Sequence, residues 1–249
     1  MAPGRSAGCR CGLSDPGAIR VTRVIAHRCR SGGAAENLAS GVALAATAGA
    51  QAIEVDVRPS RDGEAVVTHD RWLLRRTWWP VPVRAVTAAW FRARRDRTTG
   101  EQLPDLQAIV TEAARCGIGV VVDLKDGRAL AAVASVLAGV TTIERDIWVR
   151  DPTSIARARA LVPGATVGWL DDPRSPGEVD AYLDAARDHG ADLVSVRHHL
   201  VGVGTVERCR ASSMRLAVWI TDPAATAAVL ALGPDAVVTD RPELAVPGP

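Results

Sequence analysis

Short runs of valine, isoleucine and alanine recur along the chain, separated by alanine-rich stretches that carry charges at helical spacing. Runs that are apolar on both faces read as strands buried within a parallel sheet, and the amphipathic stretches between them as the helices that cover it. Eight such runs stand at 23–28, 52–58, 118–125, 146–150, 165–170, 191–197, 214–221 and 235–240. Helical patterns at 35–49, 104–116, 128–138, 152–161, 176–189, 204–211 and 223–231 fall between most of them. Eight strands alternating with helices predict an α/β fold, a single (β/α)8 TIM barrel.

One further run, EAVVTHD at 64–70, breaks the alternation. Only Pro59 to Gly63 separates it from the preceding strand, too little for a parallel crossover, so it is expected to return antiparallel as a β-hairpin arm. With Arg61 and Asp62 as a two-residue loop, residues whose numbers sum to 123 face each other and His69 lies opposite Glu54. The segment 71–103, irregular and rich in tryptophan and arginine, reads as a short cap after the arm, a lid or binding element. Residues 1–20 lack periodicity and are expected to form a flexible N-terminal leader, with the barrel domain over 21–249.

Composition narrows the classes. Basic and acidic residues nearly cancel, for a net charge of +2, and are spread without long single-sign runs. That argues against nucleic acid as a partner. No apolar run reaches the length of a membrane span and no signal-type h-region follows Arg5 and Arg10, so stable membrane insertion is not expected and a cytoplasmic protein is. The five cysteines, Cys9, Cys11, Cys29, Cys116 and Cys209, form neither a disulfide framework nor a zinc pattern. The oligomeric state is not encoded in any pattern of this kind. Lys125 is the only lysine. A lone lysine in an arginine-rich chain points to a position that needs a compact ammonium, with survival on an open surface as the plainer explanation.

Chemistry in such a barrel belongs at the C-terminal strand ends. There the first strand ends in His27 and Arg28, the second carries Glu54 and Asp56, the third Asp123 and Lys125, and the arm His69 and Asp70. Alternation puts Glu54 with Asp56, and Asp123 with Lys125, on one face of their strands. Converging carboxylates are costly to bury unless paired or bound to a cation, and an all-oxygen set suits one divalent cation, Mg²⁺ or Ca²⁺. Simple pairing with Arg28 or Arg58 is the structural alternative for Glu54 and Asp56. His27 and His69 suit general acid and base roles, and Arg28 and Lys125 the charge of a phosphoryl group, so an anionic small molecule is the expected partner. His189 is assigned to the surface and His198 and His199 to the rim.

These residues resemble the glycerophosphodiester phosphodiesterase family, whose motifs occur in the same order: AHRC at 26–29, ENL at 36–38, IEVDVRPSRDGEAVVTHD at 53–70, VVDLK at 121–125, then AVWI and VVTDRPELA. The resemblance runs from about Val24 to Ala245 and implies a TIM barrel that hydrolyses phosphodiesters. It implies metal ligands Glu54, Asp56 and Asp123, catalytic His27 and His69, phosphate contacts from Arg28 and Lys125, and Trp219 lining the substrate pocket. Asn37 is read as an orienting residue near the phosphate and Glu36 as a neighbour of the metal. Three positions depart from the family pattern: Cys29 for glycine, Leu38 for threonine, and Asp123 where glutamate is usual. If the glycine normally takes a positive φ, Cys29 has to do so with a side chain.

The expected reaction is metal-dependent hydrolysis of a glycerophosphodiester to an alcohol and glycerol 3-phosphate, with one histidine removing a proton and the other protonating the leaving alcohol. Asp123 followed by Lys125 also resembles the sphingomyelinase D type barrels, so a lysophospholipase D or sphingomyelinase D-like activity is the alternative. A non-catalytic barrel that binds phosphate esters is the third.

Overall fold

Valine and isoleucine on both faces of successive strands force the sheet to be covered on both sides, and the chain meets that demand by closing the sheet on itself. A computed structural model describes residues 21–33 and 35–246; the leader 1–20 lies outside the described residues. The barrel strands are β1 (Arg23–Ala26), β2 (Ala52–Pro59), β4 (Gly119–Leu124), β5 (Arg145–Val149), β6 (Thr166–Trp169), β7 (Leu193–Arg197), β8 (Arg215–Ile220) and β9 (Ala236–Thr239), with β3 (Ala65–Val67) set antiparallel on β2. β1 pairs in parallel with both β2 and β9, which closes eight parallel strands into a (β/α)8 barrel.

One helix precedes each of the last seven barrel strands: Ala39–Thr47, Leu106–Cys116, Leu130–Ala138, Ile155–Leu161, Pro176–Asp188, Val203–Ala211 and Thr226–Ala231. Their starts are chemically marked. Asp105 accepts from the Ala108 amide at 2.9 Å, and Ser175 accepts from the Glu178 amide with Pro176 in the first turn, the side-chain caps that satisfy orphan helix N–H groups. The main apolar core lies between barrel and helices. A smaller one, including Ile25, Val121, Trp148, Leu193 and Val238, fills the barrel interior.

Two expectations are corrected. The first strand stops at Ala26 and His27–Cys29 form a 3₁₀ turn. In the arm, Val57 faces Val67 and Pro59 faces Ala65, so the numbers of facing residues sum to 124 rather than 123, and His69 does not lie opposite Glu54. The loop has three residues, Arg61 to Gly63: the Ser60 amide donates to the Glu64 carbonyl at 2.9 Å, the Gly63 amide donates to the Ser60 carbonyl, and Gly63 takes φ +84°. A type I turn completed by a left-handed glycine is the usual three-residue solution.

The cap 71–103 is more ordered than its irregular sequence predicts. It has its own core of Val66, Leu73, Val83, Val86, Ala88, Phe91 and Leu103, and a short helix at Ala88–Arg92 whose Trp90 amide donates to Thr87 Oγ1. Its buried Arg76 donates through Nε to Asp96 at 2.8 Å.

Candidate active site

The parallel register of β2 and β4 sets Asp56 beside Asp123, with Glu54 two residues earlier on the same face. All three are buried, and one carboxylate oxygen from each lies within 4.8 Å of the others, an all-oxygen group able to hold a metal ion. Lys125 reaches Asp56 at 2.8 Å and also contacts Asp123. Arg28 approaches Asp56 at 3.1 Å and donates to Glu36 at 2.7 Å. Arg150, at the C-terminal end of β5, reaches Asp123 at 2.7 Å. Three cations therefore sit against Asp56 and Asp123, whereas among the described residues no cation lies within ion-pair distance of Glu54.

The protonation of that cluster follows from its surroundings. Burial, helped by the charge of Asp56, pushes the Glu54 carboxyl up to about 7. Burial acts on Asp56 in the same sense, but Lys125 and Arg28 outweigh it and hold that carboxyl down at about 2.

Local backbone conformation delivers these groups. Arg28 (φ +52°) and Cys29 (φ +58°) are both left-handed, so the turn after β1 aims the Arg28 amide at Glu54, where it donates at 2.9 Å. Cys29 thus adopts the conformation expected of the glycine it replaces, and its carbonyl oxygen is packed against Gly41, where a Cβ would come within 2.4 Å. Asn37 (φ +57°) is fully buried, and its amide is divided between donating to Asp56 Oδ2 at 2.9 Å and accepting from the Asp56 amide at 3.1 Å. It positions a carboxylate and does not line the cavity.

The cavity, about 210 Å³, is lined by His27, Arg28, Glu54, His69, Asp123 and Lys125 together with Arg150, Arg197 and Trp219. Nδ1 of His27 is 2.7 Å from Asp240 and Nδ1 of His69 is 2.8 Å from Asp70, which leaves Nε2 of each ring for proton exchange. His27 packs against Trp219 with ring centroids 5.1 Å apart, and Arg197 lies 5.5 Å over the other ring of that pair. Trp148 forms part of the floor, seated over Gly168, where a Cβ would come within 2.7 Å of the indole. His198 contacts Thr221 and His199, and His189 packs on Trp169; none of these histidines lines the cavity.

Sequence reading missed Arg150, Arg197 and the partner role of Asp240. The two arginines end barrel strands, the same signal that singled out Lys125, and applying it to β5 and β7 would have found them. Asp240 also closes a strand run, 235–240, but its partner could not be read from spacing, because His27 is 213 residues away.

A barrel whose mouth gathers an acidic triad, two aspartate-anchored histidines and several cations is equipped to cleave a phosphodiester, and the protein is a phosphoric diester hydrolase in class. Residues 27–244 match the model of the glycerophosphoryl diester phosphodiesterase family, and the chain belongs to that family. It is 25% identical over 241 residues to YhdW of Bacillus subtilis, provisionally named a glycerophosphodiester phosphodiesterase, covering 90% of this chain and 96% of that one. Among solved structures, an Oleispira antarctica phosphodiesterase in complex with the product sn-glycerol-3-phosphate superposes with a TM-score of 0.80 at 23% identity, covering 90% and 95% of the two chains. A glycerophosphodiester phosphodiesterase from Agrobacterium tumefaciens gives 0.76 at 22% identity, covering 90% and 97%. At such identities the structural likeness establishes the shared fold.

Proposed function

We propose that this chain hydrolyses glycerophosphodiesters to an alcohol and glycerol 3-phosphate in a reaction that depends on a divalent cation. The observation that carries the reading is the pair of histidines, each with Nδ1 held by an aspartate, on the wall of the cavity that Glu54, Asp123 and Lys125 also line. The product glycerol 3-phosphate found with the Oleispira protein supports it.

The donor set fits a hard cation. Glu54, Asp56 and Asp123 offer only oxygen, and would hold Mg²⁺ or Ca²⁺, which would supply Lewis-acid stabilisation of phosphoryl charge. The chain's own groups do the rest. Arg28 and Lys125 place positive charge on the phosphoryl oxygens, and Arg150 adds to it from the β5 side. A ring with Nδ1–H fixed on a carboxylate has a basic Nε2, so one histidine takes a proton from the attacking hydroxyl or water. The other, protonated, delivers its proton to the leaving oxygen. Trp219 braces His27 and gives the substrate an apolar wall.

A second reading rests on the outer surface of the cap, where Trp72, Leu74, Trp78 and Trp79 are exposed. Such a rim suits a substrate with an acyl chain, as in lysophospholipase D chemistry. Assay of glycerophosphocholine and lysophosphatidylcholine with Mg²⁺, Ca²⁺ or chelator decides. Release of glycerol 3-phosphate that needs metal, and that falls by roughly 10²- to 10⁴-fold in a folded His27→Ala variant, is expected. Choline release from the lysolipid alone overturns the proposal, and no turnover of either points to a binding barrel.

A further inference from the structure

On the outer side of the arm lies a second cavity, of about 400 Å³, that shares no lining residue with the catalytic one. Its charge is one-sided. Arg58, Arg71, Arg84 and Arg128 line it against a single carboxylate, Asp126. Arg128 already holds Asp126 through both Nε and an Nη, and Asp126 also accepts from the Arg128 amide. Its charge is thereby spent. Among the described residues, Arg58, Arg71 and Arg84 have no carboxylate within ion-pair distance.

Guanidinium groups gathered around one cavity without a free carboxylate form a ready binding place for an anion. Arg58 is fixed by donating from Nε to the His69 carbonyl at 2.8 Å. Arg71 stands on a rigid stretch of cap: its carbonyl accepts from Val83 at 2.9 Å and the Leu73 amide donates to Val81 at 2.9 Å. Trp72, Pro59, Pro82 and Val83 supply the rest of the wall, an apolar surface beside the cations.

We propose that this cavity is a second oxyanion site, which takes a phosphate group attached to a small organic moiety. Guanidinium groups match phosphate with paired N–H donors, and the apolar wall beside them accepts the carbon skeleton. Because Arg58 bridges to the His69 carbonyl, an occupant would rest against the arm that carries a catalytic histidine. Two sources share this chemistry: a second phosphate on the leaving alcohol of the substrate, and a separate phosphorylated ligand.

The test begins with binding, which needs no turnover and so stands apart from the hydrolytic reading. Inorganic phosphate is titrated calorimetrically into chelator-treated wild type, an Arg71→Ser/Arg84→Ser variant, an Arg84→Glu variant and an Arg28→Ser variant. Wild type is expected to bind two equivalents. Both cap variants should lose one or weaken it by about tenfold or more, while Arg28→Ser keeps that one. Both altered arginines are exposed, so unchanged melting temperatures serve as the folding control. A wild-type isotherm with one equivalent that only Arg28→Ser removes, or cap variants that titrate like wild type, overturns the site. Kinetics then separates the sources. A rise in KM of the double variant for a glycerophosphodiester bearing a phosphate monoester on its alcohol, with glycerophosphocholine unchanged, assigns the occupant to the substrate. Unchanged KM for both, with phosphate binding lost, assigns it to a separate ligand.

Discussion

Asp240 fixes the ring of His27 at 2.7 Å and accepts from Arg30 at 2.9 Å. Burial pushes its carboxyl up, but the His27 hydrogen bond and the nearby cations hold it below the ordinary carboxylate range. An ionised carboxylate on Nδ1 selects the tautomer with a free Nε2, whereas an amide can present either a donor or an acceptor. Asp240→Asn is therefore expected to lower kcat by roughly 10- to 100-fold with little change in KM, measured in steady state. At this scale the sequence was legible where two polar residues alternated on one strand end, and less so where a single residue such as Arg150 or Arg197 closed a strand. Glu54, Asp56, Asp123 and Lys125 could be placed on common faces because a parallel strand admits no other arrangement. Asn37 could be noticed but not understood, since its grip on Asp56 depends on a left-handed backbone that no spacing reveals.

The arm and the cap show what periodicity leaves open in the elements. The hairpin was legible, but its register turned on one loop residue, and Asp62 settles it by accepting from the Ala88 amide at 2.9 Å, which ties the turn to the cap. The cap itself gave no periodic signal because its order comes from a small separate core and one buried ion pair. Asp96 also accepts from the Thr98 and Thr99 amides, and Arg76 donates at 3.4 Å to the carbonyl of Asn37. Removing one partner of such a pair strands the other charge in the interior. Asp96→Ala should cost about 3–5 kcal/mol, read as a lower denaturant midpoint, and Arg76→Met/Asp96→Leu should recover most of it. A double variant no better than the single one would show that the pair is itself a net stabiliser.

Across the whole molecule, eight apolar runs and their intervening helices were enough to predict the barrel, because buried strands of this composition demand cover on both faces. The acidic triad then couples the fold to pH. Glu54 titrates near 7, above its ordinary 4.5, so the stability it contributes is complete below about 4.5 and is lost as pH rises through 7. Asp56 has the opposite sign: held at about 2 against an ordinary 3.8, it stabilises above that ordinary value and fails as pH falls through 2. Chelator-treated protein should therefore melt at falling temperature between pH 5 and pH 8, a slope of about one proton that excess Mg²⁺ or Ca²⁺ flattens. Calorimetry of metal binding below pH 7 in buffers of different ionisation enthalpy should show up to one proton released. Melting that is equally pH-dependent with and without metal would place the effect outside the triad.

Trp148 keeps its place only because residue 168 has no side chain, and the indole underlies the reacting groups. The reach of the catalytic pocket into the barrel is thus governed by an absent methyl on a strand that contributes no polar group to the cavity wall. Any larger residue there would meet the indole and displace a side chain that lines the cavity. The shape of the pocket thus depends on a position that a search for reactive side chains passes over.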